Sequence, residues 1–312
     1  MVKKIKYFEN SDITKSYYNS ILLIGNFDGL HIGHQKLFKK AKIFQKNKKI
    51  KIGVLTFDPI PKMFFFKNIK NYRICNLRQK LNLFQKFNVD FVINKKFDKS
   101  FSKITCYNFI KNILYKNIKP KYIFVSNNFR FGNKREGNVK LLKAFEKIYQ
   151  YKIIKPEPLK KKNKVVSSTV IRKLLENGNL KLANKFLNRN WSVEGIVKKG
   201  RQMGKKIGFP TCNIDMDNYV ISKPGVYAVK IYIQKSKKPL KGIANLGYRP
   251  TFNQKKILLE VNIFNFSRNL YNKKLTVEFI KFIRGERKFN GINQLRKQIQ
   301  SDIKIAKKTK NL

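Results

Sequence analysis

Apolar positions along the chain change their spacing once, and that change divides it. In the first half, short apolar runs alternate with stretches spaced like helices. Ile21–Ile24 is a continuous apolar run; a glycine-rich turn follows, then Leu37, Ala41 and Phe44 at helical spacing, so the stretch predicts strand, turn, helix. The segment KIKIGVLTFDP predicts a second strand that ends at Pro59. Residues 77–97 read as a helix and then a strand, and residues 106–132 repeat that order. Apolar strands alternating with helices predict a parallel sheet covered on both faces, a doubly wound α/β domain.

After residue 151 the periodicity lapses. The lysine-rich run at 160–164 reads as a solvated, mobile loop. Ser167, Ser168 and Thr169 then read as the cap of a helix beginning near Val170, and a second short helix follows Gly178. From Trp191 onward, period-two segments separated by turn residues take over: WSVEGIVKKG, GVYAVKIYIQ, KGIANLGY, ILLEVNIFNF and KLTVEFIKFIR. They predict a small antiparallel β-barrel. A last helix closes it, with Leu295, Ile299, Ile303 and Ala306 on one stripe. The fold class is therefore α/β plus β, with domains expected at 1–188 and 189–312.

Composition supports a chain with two cores: 312 residues, 42% hydrophobic and 13% aromatic. No apolar run approaches the ~18 residues of a membrane span, and the start lacks the apolar region of a signal peptide. Three scattered cysteines form neither a zinc pattern nor a disulfide framework, which points to the cytoplasm. The charge is extreme, 71 Lys+Arg against 17 Asp+Glu for a net +54. That balance suits nucleic acid, but the lysines are spread through both halves among many Ile, Asn, Phe and Tyr rather than gathered in a stripe. We read it as a composition bias, with no specific nucleic-acid partner, that still favours anionic substrates.

Chemistry concentrates in two places. The chain has two histidines, His31 and His34, and both lie in the turn GNFDGLHIGHQK at 25–36. Gly25 at the end of the first strand permits close approach of a ligand, Phe27 sits beside it, and the following helix aims free N–H groups at the crevice. Two imidazoles there can donate hydrogen bonds to a phosphorus centre as it gains negative charge. A metal pair is the alternative, although no third ligand stands nearby. Short hydroxyl residues Ser167, Ser168 and Thr169 at a helix start, with Arg172 one turn in, are groups that hold phosphates. The second place is GRQMGKKIGFPTCNIDM at 200–216. Gly200, Gly204 and Gly208 make a flap whose amides can approach phosphates. Thr211 and Asn213 put two oxygen ligands on one face of an extended segment, a donor set that suits Mg²⁺ beside ATP.

H-x-G-H after a first strand resembles the nucleotidyltransferase superfamily, including class I aminoacyl-tRNA synthetases, in which it helps activate the α-phosphate of ATP. The segments TFDPIPKMFF, VSNNFRFGNKREGN and VSSTVIRKLLENGNLKLANKFLNR resemble the bacterial bifunctional riboflavin kinase/FAD synthetases. The 200–216 stretch is similar to their kinase motif, with Lys205 where Arg is usual; ANLGYRPTFN, LLEVNIFNF and IRGERKF also match. The resemblance implies a Rossmann-like nucleotidyltransferase domain and a kinase barrel. They would convert riboflavin to FMN and FMN to FAD with ATP and Mg²⁺. It implies that Glu260 is the base for the riboflavin hydroxyl, and that Asn128, Arg284 and Phe289 contact flavin. The chain departs from the family at Ser126, Asn128 and Asn262, where Gly, Asp and His are common. A different adenylyltransferase with a β-barrel specificity domain and a nucleic-acid-binding module are the competing classes.

Overall fold

The computed structural model describes all residues except 1–3, 47–49, 162–163, 201, 235, 237, 251–254 and 311. The end of the ANLGYRPTFN match and part of the lysine run thus lie outside the described residues. The chain packs as two compact units: Met1–Ile69 with Leu77–Ser167, and Lys70–Asn76 with Ser168–Leu312.

In the first unit, β1 (Lys6–Phe8), β2 (Ile21–Ile24), β3 (Ile52–Asp58), β4 (Phe91–Lys96) and β5 (Tyr122–Phe124) are parallel neighbours. A hairpin of β6 (Arg130–Phe131) and β7 (Gly137–Asn138) follows, and β8 (Lys152–Ile154) completes a six-stranded sheet in the order β1-β4-β3-β2-β5-β8. Alternation along β2 explains the two covered faces. Leu22 and Ile24 enter one core with Phe109, Ile110, Ile113 and Leu114, whereas Ile21 and Leu23 enter another with Leu37, Phe38, Ala41 and Phe84. The helices are α1 (Ile32–Lys46), α2 (Pro61–Phe65), α3 (Leu77–Lys86), and the short α4 (Lys99–Ser102) and α5 (Cys106–Asn108). From α5 a helix with π spacing runs through Phe109–Ile118, where buried positions recur four to five residues apart. The α6 helix is Val139–Ala144. Strand order reverses at β2, with β3 on one side and β5 on the other. In open α/β sheets such a switch point opens a crevice at the carboxyl ends of the strands.

The lysine-rich run carries a small hairpin, β9 (Lys160–Lys161) with β10 (Lys164–Val165), rather than a plain loop. The second unit begins with α7 (Ser168–Glu176) and α8 (Leu180–Leu187). Sequence places a boundary after α8, but the packing parts before α7. Ile171, Leu175, Leu180, Ala183 and Leu187 share one core with the strands that follow. The segment 70–76 joins the same unit: Tyr72 and Arg73 donate to the Asn218 carbonyl, and the Trp191 indole donates to Ile74 at 3.0 Å. The strands are β11 (Ser192–Ile196), β12 (Cys212–Asp215), β13 (Gly225–Ile233), β14 (Leu240–Pro250), β15 (Lys255–Ile263) and β16 (Lys274–Gly285), with the helical turn α9 (Met203–Lys206) between β11 and β12. All pairings are antiparallel in the order β11-β16-β13-β14-β15-β12, a nearly closed barrel. The closing helix α10 (Ile292–Lys307) packs through Ala306, Ile299 and Ile303 on Val226, Ala228 and Ile243. Its expected stripe is incomplete. Leu295 stays half-exposed, and the buried position beside Ala306 is Asp302.

Candidate active sites

The histidine turn occupies the switch point. It leaves β2 at Gly25 and reverses through three positive-φ residues, Phe27 (47°), Gly29 (75°) and Leu30 (39°), before α1 begins at Ile32. That sharp reversal stacks the two imidazoles, with centroids 3.7 Å apart and planes 22° from parallel. The His34 backbone N–H donates to His31 Nδ1 at 3.4 Å. A neutral His31 ring that accepts at Nδ1 carries its proton on Nε2. Phe27 braces His34 edge-on at 5.2 Å. Burial, the neighbouring His31 and the ammonium of Lys80 together hold the His34 pKa well below its ordinary value. A Cβ on Gly33 would lie 3.1 Å from the His31 ring and 3.3 Å from the Val166 carbonyl, so the strand leading into Ser167 runs alongside the start of α1.

The structure thus brings Gly25, Phe27, His31, His34 and the approach to Ser167 together. Ser168, Thr169 and Arg172 lie on the first turns of α7, in the other unit. Arg172 is buried, donates from Nε to the Tyr72 carbonyl at 2.8 Å, and lays its guanidinium 3.6 Å from the Tyr72 ring centroid. Asn128 lies beyond β5, within hydrogen-bonding distance of Ser126 Oγ (3.0 Å). It lines a cavity of about 470 Å³ with Phe129, Arg130, Asn138 and Lys143.

In the barrel, register builds the second site. Asn213 on β12 pairs with Glu260 on β15, and Glu260 pairs with Asn245 on β14. Directly paired residues share a face, so these three form a polar row on the side away from the core that holds Ile214, Leu259 and Val261. Thr211 is two residues before Asn213, on the same face by strand alternation. The flap glycines lie against these side chains. A Cβ on Gly200 would collide with the Asn213 amide, and one on Gly204 would enter the Phe209 carbonyl and sit 3.4 Å from Thr211 Oγ1. The flap also contains α9, a helical turn absent from the sequence expectation, and Gly208 at φ 87° releases it. Among the described residues Asn213 Oδ1 is buried without a hydrogen-bond partner. Asn262, at the family's usual His position, instead donates to the Pro210 carbonyl at 2.8 Å and ties the flap to β15. Lys198 pairs with Asp215 at the same edge, and that carboxylate raises the lysine's pKa. Arg284 and Phe289 are neighbours, the guanidinium 5.8 Å from the ring centroid. Arg284 is also locked to Asp302, which is 1% exposed, by hydrogen bonds of 3.0, 3.0 and 2.8 Å.

Sequence reasoning did not single out Lys80, Asn245 or Asp302. Asn245 stood inside a quoted motif; Lys80 and Asp302 sit at ordinary helix positions with no local signal.

Comparison with known proteins finds two enzyme domains in one chain. The family model for FAD synthetase matches residues 13–170, and that for riboflavin kinase matches 187–310. A bifunctional riboflavin kinase/FMN adenylyltransferase of Buchnera aphidicola from Schizaphis graminum is 41% identical, over 96% of this chain and 97% of its own. The chain belongs to the bifunctional riboflavin kinase/FMN adenylyltransferase family. Within this family, the Escherichia coli K12 relative is 34% identical over 90% of both chains. A solved structure titled a macrolide-efflux protein of Streptococcus pneumoniae superimposes with a TM-score of 0.85 at 26% identity, covering 99% of this riboflavin kinase/FMN adenylyltransferase chain. Among the described residues of this chain, no helix is long and apolar enough to cross a membrane.

Proposed function

We propose how the residues of this bifunctional enzyme carry out the two transfers of its family, riboflavin to FMN and FMN to FAD, each with ATP. The observation behind the assignment is that the stacked histidines and the Asn213–Glu260 pair fall in separate compact units, so each transfer has its own machinery. On this reading residues 1–188 serve adenylylation and 189–312 serve the kinase reaction.

In the kinase reaction Glu260 accepts the proton of the riboflavin 5′-hydroxyl as that oxygen attacks the γ-phosphorus of ATP, and ADP leaves. Gly200, Gly204 and Gly208 bring backbone amides to the phosphates. Thr211 and Asn213 fit Mg²⁺: two neutral oxygens on one face, one of them buried and unpartnered, beside a carboxylate. When bound there, Mg²⁺ neutralises phosphate charge. Arg284 and Phe289 are assigned to flavin.

In the adenylylation reaction the FMN phosphate attacks the α-phosphorus of ATP and pyrophosphate leaves. Neutral His31, its proton on Nε2, and His34 donate to the oxygens gaining charge. Gly25 and Phe27 admit the nucleotide, Ser167 is placed to meet the leaving phosphates, and Asn128 with its cavity receives the flavin. Both displacements are in line, without a covalent enzyme intermediate. Three free cysteines fit a reducing cytoplasm.

Incubation of the chain with riboflavin and Mg-ATP is expected to yield FMN and then FAD. His31→Ala with His34→Ala is expected to abolish FAD and spare FMN. Glu260→Ala is expected to abolish FMN and spare FAD when FMN is supplied. Equal loss of both reactions from either change overturns the assignment.

A further inference from the structure

Among the described residues Lys80 is the one buried lysine, 4% exposed in a chain with 71 Lys+Arg. It stands on α3, one turn before Phe84, and the two are on the same helix face. The Phe84 ring packs against Phe27 of the histidine turn at 5.9 Å and against Phe38 of α1 at 5.6 Å. That contact aims the same face of α3, with Lys80, at the turn. Lys80 Nζ donates to Thr56 Oγ1 at 3.3 Å, and the Thr56 hydroxyl donates to the Asn26 carbonyl at 3.3 Å. Thr56 is fully buried on β3. A relay therefore runs from α3 through β3 into the second residue of the turn. Removing an ammonium from water is costly, and the Thr56 hydroxyl meets this one inside the fold.

We propose that Lys80 is a positioning residue of the adenylyl-transfer site, fixing the histidine turn through Thr56 and setting its ammonium beside the stacked imidazoles. Charges that act on the His34 ring come from His31 in its own turn and from Lys80 on α3. The turn's carboxylate, Asp28, is buried within it, and Phe27 on its other side is uncharged. With the ammonium in place, protonation of either imidazole adds a second cation to a buried site. The His34 ring then stays neutral, and the lysine supplies the charge that the triphosphate meets. This inference rests on the assignment of the turn to adenylylation. It predicts a role that the sequence motif, read alone, gives to the histidines.

The chain's two histidines allow a direct test, because ring NMR of the full-length protein shows two imidazoles. In Lys80→Gln the His34 ring is expected to titrate at higher pH than in the wild type, and the acid limb of the FMN-to-FAD rate profile is expected to move with it. A one-unit rise costs about tenfold in rate on the acid limb and nothing on the plateau above it. Lys80→Arg is expected to restore both. A rate reduced equally at all pH values, with an unmoved His34 titration, overturns the proposal and leaves Lys80 a packing residue. Where Lys80→Gln does not fold, Lys80→Arg carries the test: a His34 ring that titrates near the ordinary imidazole value despite the retained charge overturns the proposal. Ring titration needs no turnover. A wild-type chain that makes no FAD therefore undermines the functional assignment, while the NMR shift still decides what Lys80 does.

Discussion

Replacing Asp302 by Ala tests how α10 is held on the barrel. Arg284 lies on β16 in register with Val226, one of the residues on which α10 packs. Its guanidinium donates three times to the Asp302 carboxylate, and Gln298 adds a fourth bond at 2.9 Å. The carboxylate is 1% exposed and the arginine side chain 13%, so solvent screens the pair little. At an effective dielectric near 20, two unit charges about 4 Å apart attract by about 4 kcal/mol. Removing one partner also strands the other charge, which together costs about 3–5 kcal/mol. Replacing both with apolar residues of similar size, Arg284→Met with Asp302→Leu, strands no charge and is expected to be near neutral.

Trp191 makes this measurable in one unit alone. It is the chain's one tryptophan, 1% exposed and packed 4.6 Å from Phe279 within the barrel core. Its fluorescence during guanidinium unfolding reports that unit, which matters in a chain of two compact bodies where a single global transition is not assured. Asp302→Ala is expected to lower the midpoint by the equivalent of about 3–5 kcal/mol, and the double variant to recover most of the loss. A loss under about 1 kcal/mol would mean that the pair behaves as an exposed one. A double variant as unstable as the sum of the singles would mean that Arg284 and Asp302 are not energetically coupled. Either result refutes the argument from burial.

Three further outcomes follow from the same geometry. Asn213→Ala removes the buried oxygen that has no partner among the described residues, and the Mg²⁺ concentration for half-maximal FMN formation is expected to rise about tenfold or more; the Mg²⁺ dependence of FAD formation is expected to stay, and parallel shifts in both would refute the assignment of Asn213 to the kinase reaction alone. Gly204→Ala drives a methyl into the Phe209 carbonyl, so the KM for ATP in the kinase reaction is expected to rise while adenylylation kinetics hold; an unchanged KM would show that the flap does not meet ATP. The pKa of His34 is lowered in the folded chain, so folding favours the neutral ring. Its contribution is present above about pH 6.5 and is lost as pH falls below that value toward the lowered folded one. The Tm difference between wild type and His34→Asn is therefore expected to shrink between pH 7.5 and 5.5, and a constant difference would refute it.

Much of this was legible because the signals are local. The run Ile21–Ile24 reads as a buried strand since both of its faces are covered, and the glycine turn after it announces its own chemistry. Lys80 carries no such signal: it follows Arg78 and Gln79 on a polar-looking helix, and it is tertiary contacts, Phe84 on Phe27 and Nζ on Thr56, that turn it inward. Asp302 reads as the polar side of α10 until Arg284 comes to meet it from another element. The residues 70–76 carry too little periodicity to show that they belong with the barrel.

The kinase site shows where such reading stops. Its two motifs can each be found alone, but the site depends on Asn213 standing opposite Glu260, and that is a question of register. Side chains alternate, so a slip of one residue would face Glu260 with Ile214 or Cys212 and split the polar row between two faces. Register is enforced by the residues in between. Leu259 and Val261 are fully buried opposite Ile214 and Cys212, and the slip that separates Glu260 from Asn213 would also bring this apolar pair into solvent. At about 25 cal/mol per Å², two large aliphatic side chains are worth several kcal/mol, more than any bond within the polar row. The carboxylate and the amide therefore meet because their apolar neighbours do, and the chemistry of the site is set from the opposite face of the sheet.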